Sequence, residues 1–541
     1  MSEVSIVCKE INKRIINRDI DKDDLESLKL EVCGEVGASE VPKNGKLLQN
    51  APDEHREEIR KVVQRKPVRT ASGVTPVAIM TSPKMCPHGK CLYCPGGPAS
   101  EFSSSQAYTG DEPAGQRAEA NNHDPYGQVM LRLNQLQYIG HPTDKVDLIL
   151  MGGTMTSRSH DYQEWFVKRA LEAMNDFNVN SKPNPQKENF EQDRQSYEFK
   201  YIEDVISNNE SGDVRCIGIT FETKPDWCEE EQIDRMLNLG GTKVEVGVQT
   251  TYDEINDAMH RGHGVKESKK ANKLLRDSGF KVGFHMMPGQ PGMTEEMCLE
   301  DFDRIFSNPD WKPDYLKIYP TLVVKGTRIY DMWKRGEYEP LDNNTAAQLI
   351  AEIKDKIPKY VRLQRVQRDI PADNIEGGVW KSNLRQLARK EMKKHGWSCD
   401  CIRCREVGHS DMTPEDLDMD VMTYYASGGI EKFISIEDFT NDILIGFCRL
   451  RLPAEPHRRE LNNAGIVREL HVYGNETTIG MKNNSQWQHK GFGKQLMAKA
   501  EEITENAGYN KIAVISGIGA RKYYKDKLGY YQDGPYVSKN I

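Results

Sequence analysis

The stretch MCPHGKCLYCPGG, residues 85–97, decides how the chain is read. It places Cys86, Cys91 and Cys94 directly after a short apolar run, VAIM at 77–80. Three thiols at the end of a strand, with no fourth close by, point to a metal group with an open position. A structural zinc site closes its tetrahedron with a fourth protein ligand, whereas a cubane on three cysteines leaves one iron free for a small ligand. Zinc and unliganded thiols remain the alternatives from this stretch alone. Gly96 and Gly97 let a ligand approach the backbone closely.

Outward from that stretch, five more apolar runs read as strands: VDLILMGG (146–153), VRCIGITFE (214–222), KVEVGVQT (243–250), KVGFHMMP (281–288) and YLKIYP (315–320). Helical stretches at 163–177, 230–239, 266–278 and 294–305 separate most of them. Repeated strand–helix units predict a parallel sheet, closed or partly closed into a barrel, with chemistry at the C-terminal strand ends. Four strands run into MGGTMTSRS, FETKPDW, GVQTTYD and MMPGQPG, endings suited to a substrate rim.

The chain has 541 residues, enough for three to four units of about 150 residues. It is 37% hydrophobic and 29% charged with a net charge of −8, which excludes fibrous and disordered classes. No uncharged apolar run reaches about 18 residues and the N-terminus lacks a signal-like apolar core, so no membrane contact is expected and a cytoplasmic location is. The twelve cysteines cluster, which fits ligands in a reducing compartment.

Two charged helical stretches, 10–28 and 52–64, precede a basic arm carrying Arg65, Lys66 and Arg69. From 354 to 394, twelve Lys and Arg face five Asp and Glu, an excess of seven positive charges in an acidic protein. Such a run is either a solvated face or a polyanion surface. Beyond Tyr424, EKFISIE, NDILIGFCRLRLP and GIVRELHVYG read as antiparallel strands, followed by a helix at 491–506, the strand KIAVISG, a helix at 520–527 and a last strand near YQDGPYVSK. That length suffices for an independent mixed α/β domain.

Within it, Gln488, His489, Lys490, Gly491, Phe492 and Gly493 form a Q-x-x-G-x-G turn before an amphipathic helix. Glycines and a helix N-terminus can hold a pyrophosphate, though a plain loop has the same look. Tyr523 and Tyr524 follow on the next helix as core aromatics or ligand contacts, and Glu469 is a candidate general base. A second trio, Cys399, Cys401 and Cys404, falls between the two domains and predicts a zinc clamp, with Cys448 as first candidate for a fourth ligand and His409 as second. Cys8, Cys33, Cys216, Cys228 and Cys298 stand apart and read as structural.

The first cysteine cluster, the MGGT at 151–154 and the strand–helix repeats resemble a radical S-adenosylmethionine (SAM) domain. The run CPHGKCLYCPGGPASEFSSSQAYTGDEPAGQRA resembles the catalytic subunit of the Elongator complex in its archaeal stand-alone form, from about residue 65 to the C-terminus, and the last section resembles GNAT acetyltransferases. Four residues separate Cys86 and Cys91 where most radical SAM enzymes have three, a departure that leaves the three-thiolate logic intact. The resemblance implies a partial (β/α)6 barrel followed by a GNAT-like domain, with divisions at 1–70, 71–345, 346–423 and 424–541. It implies a [4Fe-4S] cluster on Cys86, Cys91 and Cys94, SAM bordered by Gly152, Gly153 and Thr154, and acetyl-coenzyme A at the Q-x-x-G-x-G turn and the tyrosine pair. The implied reaction joins the acetyl methyl carbon to C5 of uridine 34 in a tRNA anticodon and leaves 5-carboxymethyluridine, with an external electron donor.

On that reading Lys224 and His285 orient the acetyl group or SAM, Glu245, Gln249, Arg261 and His263 belong to the same rim, and Arg65, Lys66, Arg69, Arg362, Arg365, Arg368, Lys381, Arg385, Lys390 and Lys394 hold the anticodon stem-loop. A protein lysine acetyltransferase with a regulatory iron–sulfur domain and a non-enzymatic tRNA scaffold are the competing readings. The sequence leaves a homodimer open.

Overall fold

A computed structural model of the chain describes residues 3–18, 20, 22–64, 70, 72–187, 189–190, 201–410, 414–473 and 491–541. Six strands lie where the apolar runs predict: β1 Thr75–Met80, β2 Lys145–Met151, β3 Arg215–Thr223, β4 Lys243–Gln249, β5 Lys281–Met286 and β6 Tyr315–Ile318. After the two-residue β7 Val323–Val324, the strand β8 Arg362–Arg365 comes from the basic segment and adds a seventh member. The sheet order is β1-β2-β3-β4-β5-β6-β8, every pair is parallel, and β1 does not pair with β8, so the barrel stays open. β7 pairs separately with β9 Ile375–Gly377.

The second sheet runs β10 Leu417–Ala426, β11 Gly429–Asp438, β12 Ile443–Leu452, β13 Ala464–Val472, β14 Lys511–Val514, then β16 Tyr536–Asn540 and β15 Tyr531–Asp533. β10 through β13 are antiparallel; β14 joins β13 in parallel only as far as Val467↔Val514. Beyond that point Arg468–Val472 diverges from β14, opening a wedge beside the helix Phe492–Asn506. The sequence missed β10, where exposed polar residues alternate with partly buried ones, and read the last hairpin as one strand.

The N-terminal region also differs from expectation. The stretch 10–28 belongs to two helices, Glu3–Arg18 and Leu25–Val36, which bury Val7, Ile11, Ile15, Leu28 and Val32 in a small core of their own. Charge on their outer faces hid the break. Among the described residues no helix is long and apolar enough to cross a membrane.

The second sheet packs on the N-terminal ends of the barrel strands, away from the cysteine loop. A Cβ at Gly517 would stand 1.9 Å from the carbonyl oxygen of Ile217, so that turn lies directly on β3. One contiguous core holds Val77, Leu148 and Phe284 of the barrel together with Phe433, Phe447 and Ile466 of the second sheet.

Inside this junction lie four arginines and four carboxylates, each side chain at most 8% exposed. Arg468 meets both oxygens of Asp314 at 2.6 and 2.7 Å and reaches Glu431 at 2.8 Å. Glu431 also receives Arg276 at 3.0 Å and Arg451 at 2.9 Å, while Arg451 holds Asp277 and Arg449 holds Glu469 at 2.8 Å. Burial alone would raise the Asp314 carboxyl, but Arg276, Arg468 and Arg449 outweigh it and drive it well below the usual range. At the edge of the junction burial likewise opposes the ionised Glu406, yet a hydrogen bond from His409 and the charge of Arg362 pull it from 4.5 down to about 2.

Both carboxyls titrate lower folded than unfolded, so their stabilisation is complete above about pH 4.5 and is lost as pH falls through the folded values. Unfolding followed by denaturant at stepped pH should therefore show stability draining away below about pH 4.5. Asp314→Asn takes one carboxylate away from three buried guanidinium groups, those of Arg276, Arg449 and Arg468, and should cost about 3–5 kcal/mol at neutral pH. A D314N protein as stable as the parent would show that the junction does not depend on this pair.

Candidate functional site

The C-terminal ends of the barrel strands surround a cavity of about 910 Å³. Its wall takes Cys86, Cys91 and Cys94 from the loop after β1, Gly153 and Thr154 after β2, Lys224 after β3, Gln249 at the end of β4, His285 from β5 and Arg365 with Arg368 from β8 and beyond. Most rim candidates read from the sequence thus converge on one space.

Each cysteine sulfur has polar company. His88 Nε2 lies 3.2 Å and Arg261 Nη1 3.4 Å from Cys91 Sγ. Gln106 Nε2 and the backbone N–H of Ala107 donate to Cys94 Sγ at 3.3 and 3.1 Å, and Thr154 Oγ1 is 3.5 Å from Cys86 Sγ. Donors on sulfur stabilise thiolate, and a bound cation would offset the effect of burial, which pushes the Cys94 thiol up to about 11.

The spacing of the two cysteine trios separates them. Cys399, Cys401 and Cys404 have sulfurs within 4.8 Å of one another; Cys86, Cys91 and Cys94 do not gather that closely. Thiolates sharing one zinc at about 2.3 Å sit about 3.8 Å apart. The tight trio therefore has the spacing of a single ion.

The loop after β2 supplies a cradle. Gly152 and Gly153 take φ of +120° and +89°. A Cβ at Gly152 would stand 2.3 Å from Thr81 Oγ1, and one at Gly153 3.0 Å from Gln106 Cβ and 3.7 Å from Cys86 Sγ. Side chains there would fill the space beside the cysteines. Gln249 also sits at positive φ, +72°, a strained backbone for a non-glycine residue at a site wall. Its Oε1, the Tyr93 hydroxyl and Gln106 Oε1 are buried without a partner among the described residues, polar positions open to a ligand.

Deeper in the barrel Glu245 is held by Lys317 and accepts from His285 Nε2 at 3.2 Å, while Tyr108 donates to Glu222 at 2.8 Å. Lys243 lies 3.3 Å from Glu245 and its ammonium 5.0 Å from the Tyr315 ring; the Tyr315 hydroxyl then donates to Glu469. A column of polar side chains thus links the cavity to β13 of the second sheet. Glu245 is a buried ionised partner of Lys317, and Glu469 is bound to Arg449 and Tyr315 rather than free as a general base. Lys224 is buried and pairs with Asp226 at 3.2 Å, its charge disfavoured by burial. His263 is buried behind the rim, 3.7 Å from Asp226. Sequence reasoning missed Lys317, Glu222 and Tyr108; a lysine inside the apolar run YLKIYP was the available signal.

In the second domain a Cβ at Gly493 would stand 3.0 Å from the Tyr523 hydroxyl, so the glycine turn and this tyrosine meet at the wedge between β13 and β14. Tyr524 instead packs in the domain core against Tyr530, with ring centroids 5.9 Å apart. Gln488, His489 and Lys490, like Arg65, Lys66 and Arg69, lie outside the described residues. Gly491 caps the helix that Phe492 and Gly493 begin.

The second trio packs on β8, where the Ile402 N–H donates to the Val361 carbonyl at 3.0 Å. Neither expected fourth ligand joins it: Cys448 is buried in the core of the second domain, and His409 pairs with Glu406 at 2.8 Å. The expected phosphate contacts divide as well. Arg365, Arg368 and Arg385 line the cavity, and Lys381 stands beside Trp380. Arg362 turns into the domain junction onto Glu406 and Tyr473, drawn by a buried carboxylate. Lys390 is exposed on the helix Leu384–His395, and Lys394 pairs there with Glu391.

A three-cysteine rim on an open parallel barrel, built into one core with an acyl-coenzyme A type sheet, defines a radical SAM enzyme fused to an acetyltransferase. Family models agree: the ELP3 N-terminal domain matches residues 4–71, the Radical SAM superfamily 80–305, the Radical_SAM C-terminal domain 313–394 and the Acetyltransferase (GNAT) family 413–530. The tRNA uridine(34) acetyltransferase of Methanocaldococcus jannaschii is 46% identical, over 100% of this chain and 99% of its own length. Elongator complex protein 3 of Saccharomyces cerevisiae is 41% identical over 92% of this chain and 89% of its own. The solved archaeal Methanocaldococcus infernus Elp3 with an N-terminal deletion covers 87% of this chain and 100% of its own at 43% identity and a TM-score of 0.74. The chain belongs to this Elp3 family.

The two tyrosines should separate cleanly. Tyr524→Ala empties a core position and should cost about 3–5 kcal/mol of stability. Tyr523→Ala should leave the melting curve nearly unchanged and weaken acetyl-coenzyme A binding about tenfold, read by calorimetry. The reverse pattern would show that Tyr523 is the packing residue.

Proposed function

We propose that the two halves serve one reaction on one substrate, with the barrel cavity as the place where the base is modified. The chain is a tRNA uridine(34) acetyltransferase of the radical SAM and GNAT class. The observation that carries this reading is the common core: the cysteine cavity and the acetyl-coenzyme A wedge are built on opposite ends of the same barrel.

In this reading Cys86, Cys91 and Cys94 hold a [4Fe-4S] cluster, and Gly152, Gly153 and Thr154 border the amino group of SAM. The cluster, when bound, supplies the single electron for SAM cleavage, drawn from an external donor. C5 of uracil is a poor partner for polar acylation, which is why a radical route suits it. Lys224 and His285 orient groups at the cavity wall, with His285 fixed by Glu245. Gln249 and Glu245 shape the pocket for SAM. Tyr523 and the glycine turn hold acetyl-coenzyme A. Arg365, Arg368, Arg385 and Lys381 meet the backbone of the anticodon loop, whose unstacked bases a protein can reach at modest cost. Cys399, Cys401 and Cys404 hold a single zinc ion beside β8, its fourth position taken by a ligand from solvent.

The test is an anaerobic reaction with tRNA, SAM, acetyl-coenzyme A and a reductant, followed by nucleoside mass analysis. The expected product is 5-carboxymethyluridine at position 34. Separate replacement of Cys86, Cys91 and Cys94 by alanine should remove both the brown colour and the product while zinc stays bound. Acetyl label in lysine with unmodified nucleosides would instead favour a protein acetyltransferase. Cys401→Ser should release zinc and leave the colour.

A further inference from the structure

The cavity mouth carries a side chain that neither the cysteine rim nor the acetyl-coenzyme A wedge uses. Trp380 is 56% exposed, and among the described residues it alone of the exposed large apolar side chains lines the cavity. Leaving an indole in water forgoes much of the stabilisation that burial would give it. Nothing about the local backbone forces that loss through slackness.

Its flanks are pinned. Val379 is 1% exposed, the Lys381 N–H donates to Asn343 Oδ1 at 3.1 Å, and Leu384, fully buried, opens the next helix. The indole is thus presented on a tethered segment. Around it stand cations: Lys381 Nζ is 5.7 Å from the ring, and Arg368 and Arg385 share the cavity wall. Arg368 donates to the Ala107 carbonyl and Arg385 to those of Leu363 and Gln364, and among the described residues no carboxylate pairs with either. Of the acidic neighbours on the wall, Asp369 is taken by Arg365 and Asp111 by Asn374. A tethered aromatic face with a lysine ammonium near its ring and guanidinium groups on the same cavity wall is the surface that a nucleobase and its phosphates take, stacking on the ring and pairing with the charges.

We propose that Trp380 is the stacking platform for an anticodon-loop base that flanks the uridine entering the cavity. The proposal rests on the tRNA reading above. Trp380 acts as a positioning residue: holding the neighbouring base splays the loop and leaves the target nucleotide to drop toward the cysteine rim.

The experiment titrates a fluorescently labelled anticodon stem-loop RNA against the full chain, the Trp380→Ala and Trp380→Phe variants, and RNAs with single abasic positions through the loop. Trp380→Ala should weaken binding about five- to a hundredfold, with Trp380→Phe restoring most of it and the melting curves superimposed. One abasic position beside uridine 34 should weaken the parent as much as Trp380→Ala does and weaken Trp380→Ala no further, the coupling expected of a direct stack. The parent binding the stem-loop while Trp380→Ala binds equally well, or while every abasic effect simply adds to that of the variant, overturns the stacking proposal and leaves the tRNA reading standing. A parent chain with no affinity for the stem-loop overturns both.

Discussion

Eight buried charges set the relation between the two halves of this enzyme. Asp314 stands just before β6 at the base of the barrel, and Arg468 reaches it from β13 with both guanidinium nitrogens. Arg468 is where the β12–β13 register shifts: Arg449 faces Glu469 and Leu450 faces Val467, so Arg468 is the extra residue of a bulge. A bulge re-aims a side chain, and here it aims an arginine into the barrel. Desolvating so many ions costs more than a lone pair would return, and only the fourfold balance with nearly every group doubly bonded makes it tolerable. Such a junction is poor as a source of raw stability and strong as a specifier of geometry, because any other docking leaves a charge buried alone.

That geometry has a functional consequence. The second sheet, proposed to hold acetyl-coenzyme A, lies at one end of the barrel strands and the cysteine rim at the other, with the column from Lys317 through Glu245, Lys243 and Tyr315 to Glu469 between them. A two-site reaction needs a fixed path between its sites, and the shared core supplies the fixed part.

Much of this was legible in the chain. The apolar runs located six strands because β4 and β6 are buried along their whole length and the other four at every second position or more, and the cysteine spacing marked the rim. The seventh strand escaped because Arg362-Leu363-Gln364-Arg365 has one apolar residue in four; its charge reads as RNA-facing surface, yet Arg362 serves the junction. The junction itself was illegible for the same reason. Arginines in FCRLRLP and VRELHV look like solvent-facing positions of half-exposed strands, and only the partner domain, remote in sequence, buries them. Cys448 resembled a ligand by composition, but its strand is buried on both faces and points it into the core.

On the proposed function, the acetyl group delivered by the second domain reacts in the cysteine cavity of the first. Deuterium in the methyl group of acetyl-coenzyme A reports on this directly, in an anaerobic reaction with unlabelled SAM and tRNA. Deuterium is expected in the released 5′-deoxyadenosine, at a rate that depends on tRNA. Unlabelled 5′-deoxyadenosine formed alongside modified tRNA would contradict it.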